Sequence, residues 1–79
     1  ELTSDERLDA FVATFGLTER ERDILEVLVV SDQSVQDIAT TLFLSRSTLY
    51  RHISSINKKA GTASRVALIN FFWSWTPKD

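Results

Sequence analysis

The stretch SVQDIATTLFLSRSTLYRHISSINKKAG, residues 34–61, decides the fold. Ser34 stands three residues ahead of Asp37, and Val35, Ile38, Ala39 and Leu42 fall on one stripe of a short helix. Phe43 and Leu44 leave room only for a tight turn. Ser45 then opens a longer helix, and Gly61 closes it. At about 100° per residue, its apolar positions Leu49, Ile53, Ile56 and Ala60 lie within about 60° of one direction. Ala39 is small enough to let the two helices cross closely. A short helix, a tight turn and a longer helix opening on serine make the layout of a helix-turn-helix.

Outward from this pair the spacing stays helical. Thr3 and Glu6 form a capping box ahead of Leu8, Phe11, Val12 and Phe15, and Gly16 stops that helix. Thr18 and Glu21 form another, with Ile24, Leu25 and Leu28 facing inward on a helix that ends near Val30. A last helix is predicted from about Ala63 to Trp75, ahead of Pro77. The expected fold is all-α: a small helical bundle containing a helix-turn-helix, with one additional N-terminal helix. The expected division is 1–16 for that helix or connector, 17–75 for the helix-turn-helix domain and 76–79 for a tail.

Composition narrows the function. With 79 residues, 43% hydrophobic and 25% charged, the chain is one small globular domain rather than a disordered segment. It has no cysteine, which excludes disulfides, thiolate zinc sites and a cysteine nucleophile. With a single histidine, His52, on the edge of the buried stripe, neither a metal nor another cofactor is expected. Glu19, Glu21 and Asp23 sit in a first helical turn, where acids suit the helix dipole, so they do not read as an acid/base group. No enzyme activity is expected. No apolar run approaches the ~18 residues needed to span a bilayer, so no membrane contact is expected from this segment.

The net charge of −2 averages two unlike parts. Residues 1–37 hold ten acids against three bases, giving −7. Residues 38–79 hold six bases against Asp79, giving +5. A chain divided this way can present a basic end to a polyanion while remaining acidic as a whole.

From Leu17 to Arg65 the sequence resembles the LuxR-type (GerE-like) helix-turn-helix DNA-binding domain of bacterial transcriptional regulators. The residues that carry the resemblance are LTERERDIL at 17–25, Ile38–Ala39, LFLS at 42–45, Thr48, His52, Ile56, Lys59, Gly61 and Ser64–Arg65. The resemblance implies sequence-specific binding to double-stranded DNA, dimerisation on two-fold related sites and DNA contacts at positions 47, 50 and 51. Several departures matter, among them Ala60 in place of a core leucine, a space the adjacent aromatics of the last helix are expected to fill. Asp32 stands where the family usually has a glycine, and is expected to take the left-handed turn itself. Tyr50 stands where a lysine often faces DNA, which alters the recognition surface.

Helix geometry assigns the contacts. Ser47, Tyr50, Arg51 and Ser54 lie away from the apolar stripe and are the candidate base readers of a recognition helix at about 46–60 in the major groove. Arg51 is the best placed for specificity, because its planar fork matches guanine O6 and N7. Arg46, Thr48, Lys58, Lys59 and Arg65, with the backbone N–H groups at Ser34 and Ser45, are the candidate phosphate contacts. For Lys59 and Arg65 the competing role is pairing with acids of the second helix, such as Glu19, Glu21 or Glu26.

The last helix carries two apolar stripes, Val66–Ile69–Trp73 and Leu68–Phe72–Trp75. One is expected to be buried and the other to form a homodimer interface, with Val66, Ile69, Phe72 and Trp73 as candidates. The competing arrangement folds the extra aromatics onto Phe11 and Phe15. The expected partners are double-stranded DNA, a second copy of the chain and RNA polymerase, in the bacterial cytoplasm. The start at Glu1 leads us to expect a segment of a longer regulator. Two alternatives stay open: a sigma-factor-like promoter-binding region, and a protein-interaction module that has lost DNA binding, to which the acidic balance and Tyr50 point.

Overall fold

The computed structural model describes residues 2–77; Glu1 and the last two residues of the expected tail lie outside it. Its elements are α1 (Ser4–Phe15), α2 (Glu19–Val30), α3 (Val35–Thr41), α4 (Arg46–Ala60) and α5 (Arg65–Ser74). No strand occurs among the described residues.

Each start is fixed by the side chain in front of it. Thr3 and Thr18 close reciprocal capping boxes with Glu6 and Glu21. Ser34 and Ser45 accept the N–H groups of Asp37 and Thr48, at 3.2 Å each. The last helix begins at Arg65 rather than near Ala63, because Ser64 caps it by accepting the Ala67 N–H at 3.1 Å.

The ends differ in a way that corrects the reading of Asp32. Gly16 and Gly61 close α1 and α4 in the left-handed region, φ 69° and 77°. Asp32 does not adopt that conformation: α2 leaves through Ser31 in extended backbone, φ −128° and ψ 142°, and the Ser31 hydroxyl accepts the Gln33 N–H at 3.1 Å. Among the described residues the left-handed non-glycine position belongs to Phe43, φ 59°. There the Leu44 N–H reaches the Ala39 carbonyl at 2.8 Å and the Phe43 N–H reaches Thr40 at 3.2 Å, which ends α3 in a Schellman turn.

One core runs through all five helices. Ile24, Leu25 and Leu28 of α2 meet Leu49, Ile53 and Ile56 of α4, and Ile38 and Ala39 bring α3 against them. The α5 helix lies against both α2 and α4. Outside it, α1 supplies Leu8 and Phe11. Phe11 is fully buried, and the rings of Phe15, Phe71, Phe72 and Trp75 surround it at centroid distances of 4.5 to 5.8 Å. Tilted and edge-on pairs of this kind add about 0.5–1.5 kcal/mol each beyond the area they bury. Arg7 reaches from α1 to donate to the carbonyls of Phe72 and Trp75 at the end of α5.

This arrangement decides between the stripes of α5. Leu68 and Phe72 are buried, whereas Val66 and Trp73 are exposed and Ile69 is half-buried. Phe72 therefore leaves the expected dimer interface. Its ring stands 5.3 Å from that of Phe11 and is 1% exposed, so the aromatics do fold onto α1.

Candidate nucleic-acid interface

The amphipathic pattern of α4 sets its two faces. Leu49, Ile53, Ile56 and Ala60 are buried, while Arg46, Ser47, Tyr50, Arg51, Ser54 and Lys58 are exposed. No acid occurs anywhere in α4. At its start Ser45 is spent as a cap: it accepts the Thr48 N–H, and its hydroxyl donates to Thr48 Oγ1 at 2.9 Å and lies 3.3 Å from Ser47 Oγ. Thr48 is consequently half-buried, and Arg46 and Ser47 project from a rigid first turn.

Beside this face lies an open groove of about 350 Å³, lined by Val35, Tyr50, Ile53, Ser54, Asn57 and Arg65. It gathers the starts of α3 and α5 along one flank of α4. Two candidate base readers, Tyr50 and Ser54, thus share a wall with one candidate phosphate contact, Arg65. Arg46, Ser47 and Arg51 stand on the N-terminal half of α4 outside the groove, and Lys58 lies in its last turn. Ser34 caps α3 with its hydroxyl. Asn57 escaped the reading of the sequence, although it lies three residues beyond Ser54 and seven beyond Tyr50 on the same side. Its carbonyl accepts the Gly61 and Thr62 N–H groups at 2.8 and 2.9 Å, and its Oδ1 accepts the Thr62 hydroxyl at 2.7 Å.

Lys59 takes the competing role. Its Nζ donates to Glu21 Oε1 at 2.7 Å, and the Ser55 hydroxyl donates to Glu21 Oε2 at 2.7 Å. This corrects its assignment as a phosphate contact: the ammonium is drawn back to neutralise a carboxylate that is only 4% exposed. Burial pushes the Glu21 carboxyl upward. The Lys59 ammonium, the Thr18 N–H and the Ser55 hydroxyl together outweigh that and hold it at about 2, below its ordinary 4.5. The capping carboxylate of α2 thereby also holds α4 in place.

The remaining chemistry is sparse. No group of three or more His, Cys, Asp or Glu among the described residues is arranged to hold a metal ion. No described helix is long and apolar enough to cross a membrane.

Comparison with known proteins agrees with this geometry. Residues 16–72 match the family described as bacterial regulatory proteins, luxR family, or GerE. The spore germination protein GerE of Bacillus subtilis (strain 168) is 43% identical over 49 residues, which cover 62% of this chain and 65% of that protein. No solved structure gave a significant match. With five helices among its described residues, its helix-turn-helix at α3–α4 and a family match from the end of α1 through Phe72, the chain belongs to the luxR family of bacterial regulatory proteins, whose helix-turn-helix domains serve DNA-binding transcription regulation.

Proposed function

We propose that this chain binds double-stranded DNA in a sequence-specific manner as the output domain of a transcription regulator, with α4 in the major groove. Ser47, Tyr50, Arg51 and Ser54 read base edges, and Arg46, Thr48, Lys58, Arg65 and the N–H groups at Ser34 and Ser45 hold phosphates. What supports this most is the division of α4 into a buried apolar face and an acid-free face that carries arginine at both ends of its first six residues. A rigid helix of this kind matches the dimensions and the charge of a major groove.

A homodimer formed through α5 completes the proposal. Val66, Trp73 and the neighbouring Val30 are 62%, 43% and 61% exposed, and Ile69 lies half-buried between them and the core. An apolar face uncovered at the edge of a small domain suits a two-fold contact, which would set two recognition helices about one DNA turn apart. RNA polymerase is then a partner of the bound dimer, in the bacterial cytoplasm.

The test is an electrophoretic mobility shift against a selected duplex and a random one, at two salt concentrations. The expected result is tighter binding to the selected duplex and weaker binding to both at the higher salt. Failure to bind either duplex at low salt would overturn the proposal in favour of a protein-interaction module.

A further inference from the structure

Phe43 has the least favourable setting in the chain for an aromatic residue. Its backbone is left-handed, φ 59°, a region where a Cβ crowds the following carbonyl and which glycine or asparagine fills at less cost. Its side chain is 95% exposed, so it recovers nothing from packing. The surrounding turn is firmly held. Leu42 and Leu44 on either side pack against the core, Arg20 Nη2 donates to the Leu42 carbonyl at 3.2 Å, and the Schellman bonds lock the backbone. Anchored on both sides, the turn holds the ring out in water at a fixed place.

That place is the turn leading into α4, two residues ahead of its Ser45 cap. Phe43 precedes Ser47 by four residues, a span of at most about 14 Å even when extended, which compares with a major groove about 12 Å wide. If α4 enters the groove, a strand that borders it lies within reach of the ring. We infer that Phe43 is a further DNA-contact residue, laying its ring on the deoxyribose face of the backbone strand beside the first turn of α4. The inference rests on the major-groove reading of α4. A sugar contact carries no sequence information and no charge, so its signature differs from that of every arginine or lysine around it.

The test compares Phe43→Asn and Phe43→Tyr with the unchanged chain in DNA titrations and thermal unfolding. Phe43→Asn is expected to raise Tm by about 4 °C, because asparagine tolerates the left-handed backbone better. The same change is expected to weaken binding to selected and random duplexes alike by about fivefold, the effect of losing roughly 40 Å² of apolar contact. The dependence on salt should not change, and Phe43→Tyr should bind within about twofold of the unchanged chain. If the unchanged chain binds DNA and Phe43→Asn binds equally well, the inference is wrong while the major-groove reading stands. If that variant keeps its DNA affinity but loses transcription in a reconstituted polymerase assay, the ring serves a protein partner and the inference is again overturned. A loss confined to the selected duplex would replace the sugar by a base. If the unchanged chain binds no duplex, both readings fail together.

Discussion

Replacing Lys59 by alanine would leave the Glu21 carboxylate buried, with only the Ser55 hydroxyl and the Thr18 N–H to satisfy it. Because the Lys59 side chain is a third exposed, the expected loss is moderate, about 1–2 kcal/mol in urea unfolding, rather than that of a fully buried pair. The salt dependence of DNA binding should not change, since Lys59 is already neutralised. The same carboxylate makes stability pH-dependent. Its pKa is lower in the folded chain, so its contribution is fully present above about 4.5 and is lost as pH falls toward 2. Urea midpoints measured at pH 6 and pH 3 should differ, and Glu21→Gln should shrink that difference. Arg51 stands exposed and without a partner among the described hydrogen bonds and ion pairs. Arg51→Ala is expected to cost about 1–3 kcal/mol on the preferred duplex and less on random DNA, as read by titration of both. Equal losses would make Arg51 a phosphate contact.

At the scale of the helices, four of the five could be read closely from sequence. Thr3, Thr18, Ser34 and Ser45 each cap a helix, and Leu49, Ile53, Ile56 and Ala60 are all buried, because local hydrogen bonding and a one-sided apolar stripe fix such elements without distant partners. The α5 helix was less legible. It is apolar on nearly every side, so its periodicity does not choose an inner face; Phe11 and Phe15, more than fifty residues away in the chain, make that choice. Asp32 was misread, and the left-handed backbone of Phe43 went unread, for a related reason. Which residue takes a left-handed turn depends on the tertiary anchoring of Leu42 and Leu44, and propensity favours the aspartate. The role of Lys59 likewise depended on which acid folds beneath it. For α5 the expected outcome is a clean separation. Phe72→Glu should unfold the domain, whereas Trp73→Glu should leave the helical circular dichroism intact and abolish any self-association seen by sedimentation on a two-half-site duplex. Removing residues 1–16 should uncover Phe71, Phe72 and Trp75 and leave a chain that no longer unfolds cooperatively.

Over the whole molecule, 38 Å long and 22 by 21 Å across, charge is sorted by helix: α1 to α3 carry eight of the eleven acids, and α4 with the start of α5 carries five of the nine bases. The acidic helices discourage other approaches to a polyanion, which on the proposed reading of α4 would orient the encounter with DNA. With Lys59 withdrawn, Arg46, Lys58 and Arg65 remain as the charged phosphate contacts of the proposed complex. The logarithm of the binding constant should therefore fall with the logarithm of salt at a slope near −3 per protomer, measured by titration across salt concentrations. The two tryptophans divide this molecule between them. Trp75 is wedged beside Phe11 and Phe15, while Trp73 lies at the surface with its indole N–H donated to the Val29 carbonyl at 3.2 Å. The chain therefore carries two built-in optical reporters: emission from Trp75 follows the detachment of α1, and quenching of Trp73 by an added solute follows whatever comes to cover α5. Single Trp→Phe variants would let the two signals be recorded apart, with no label attached.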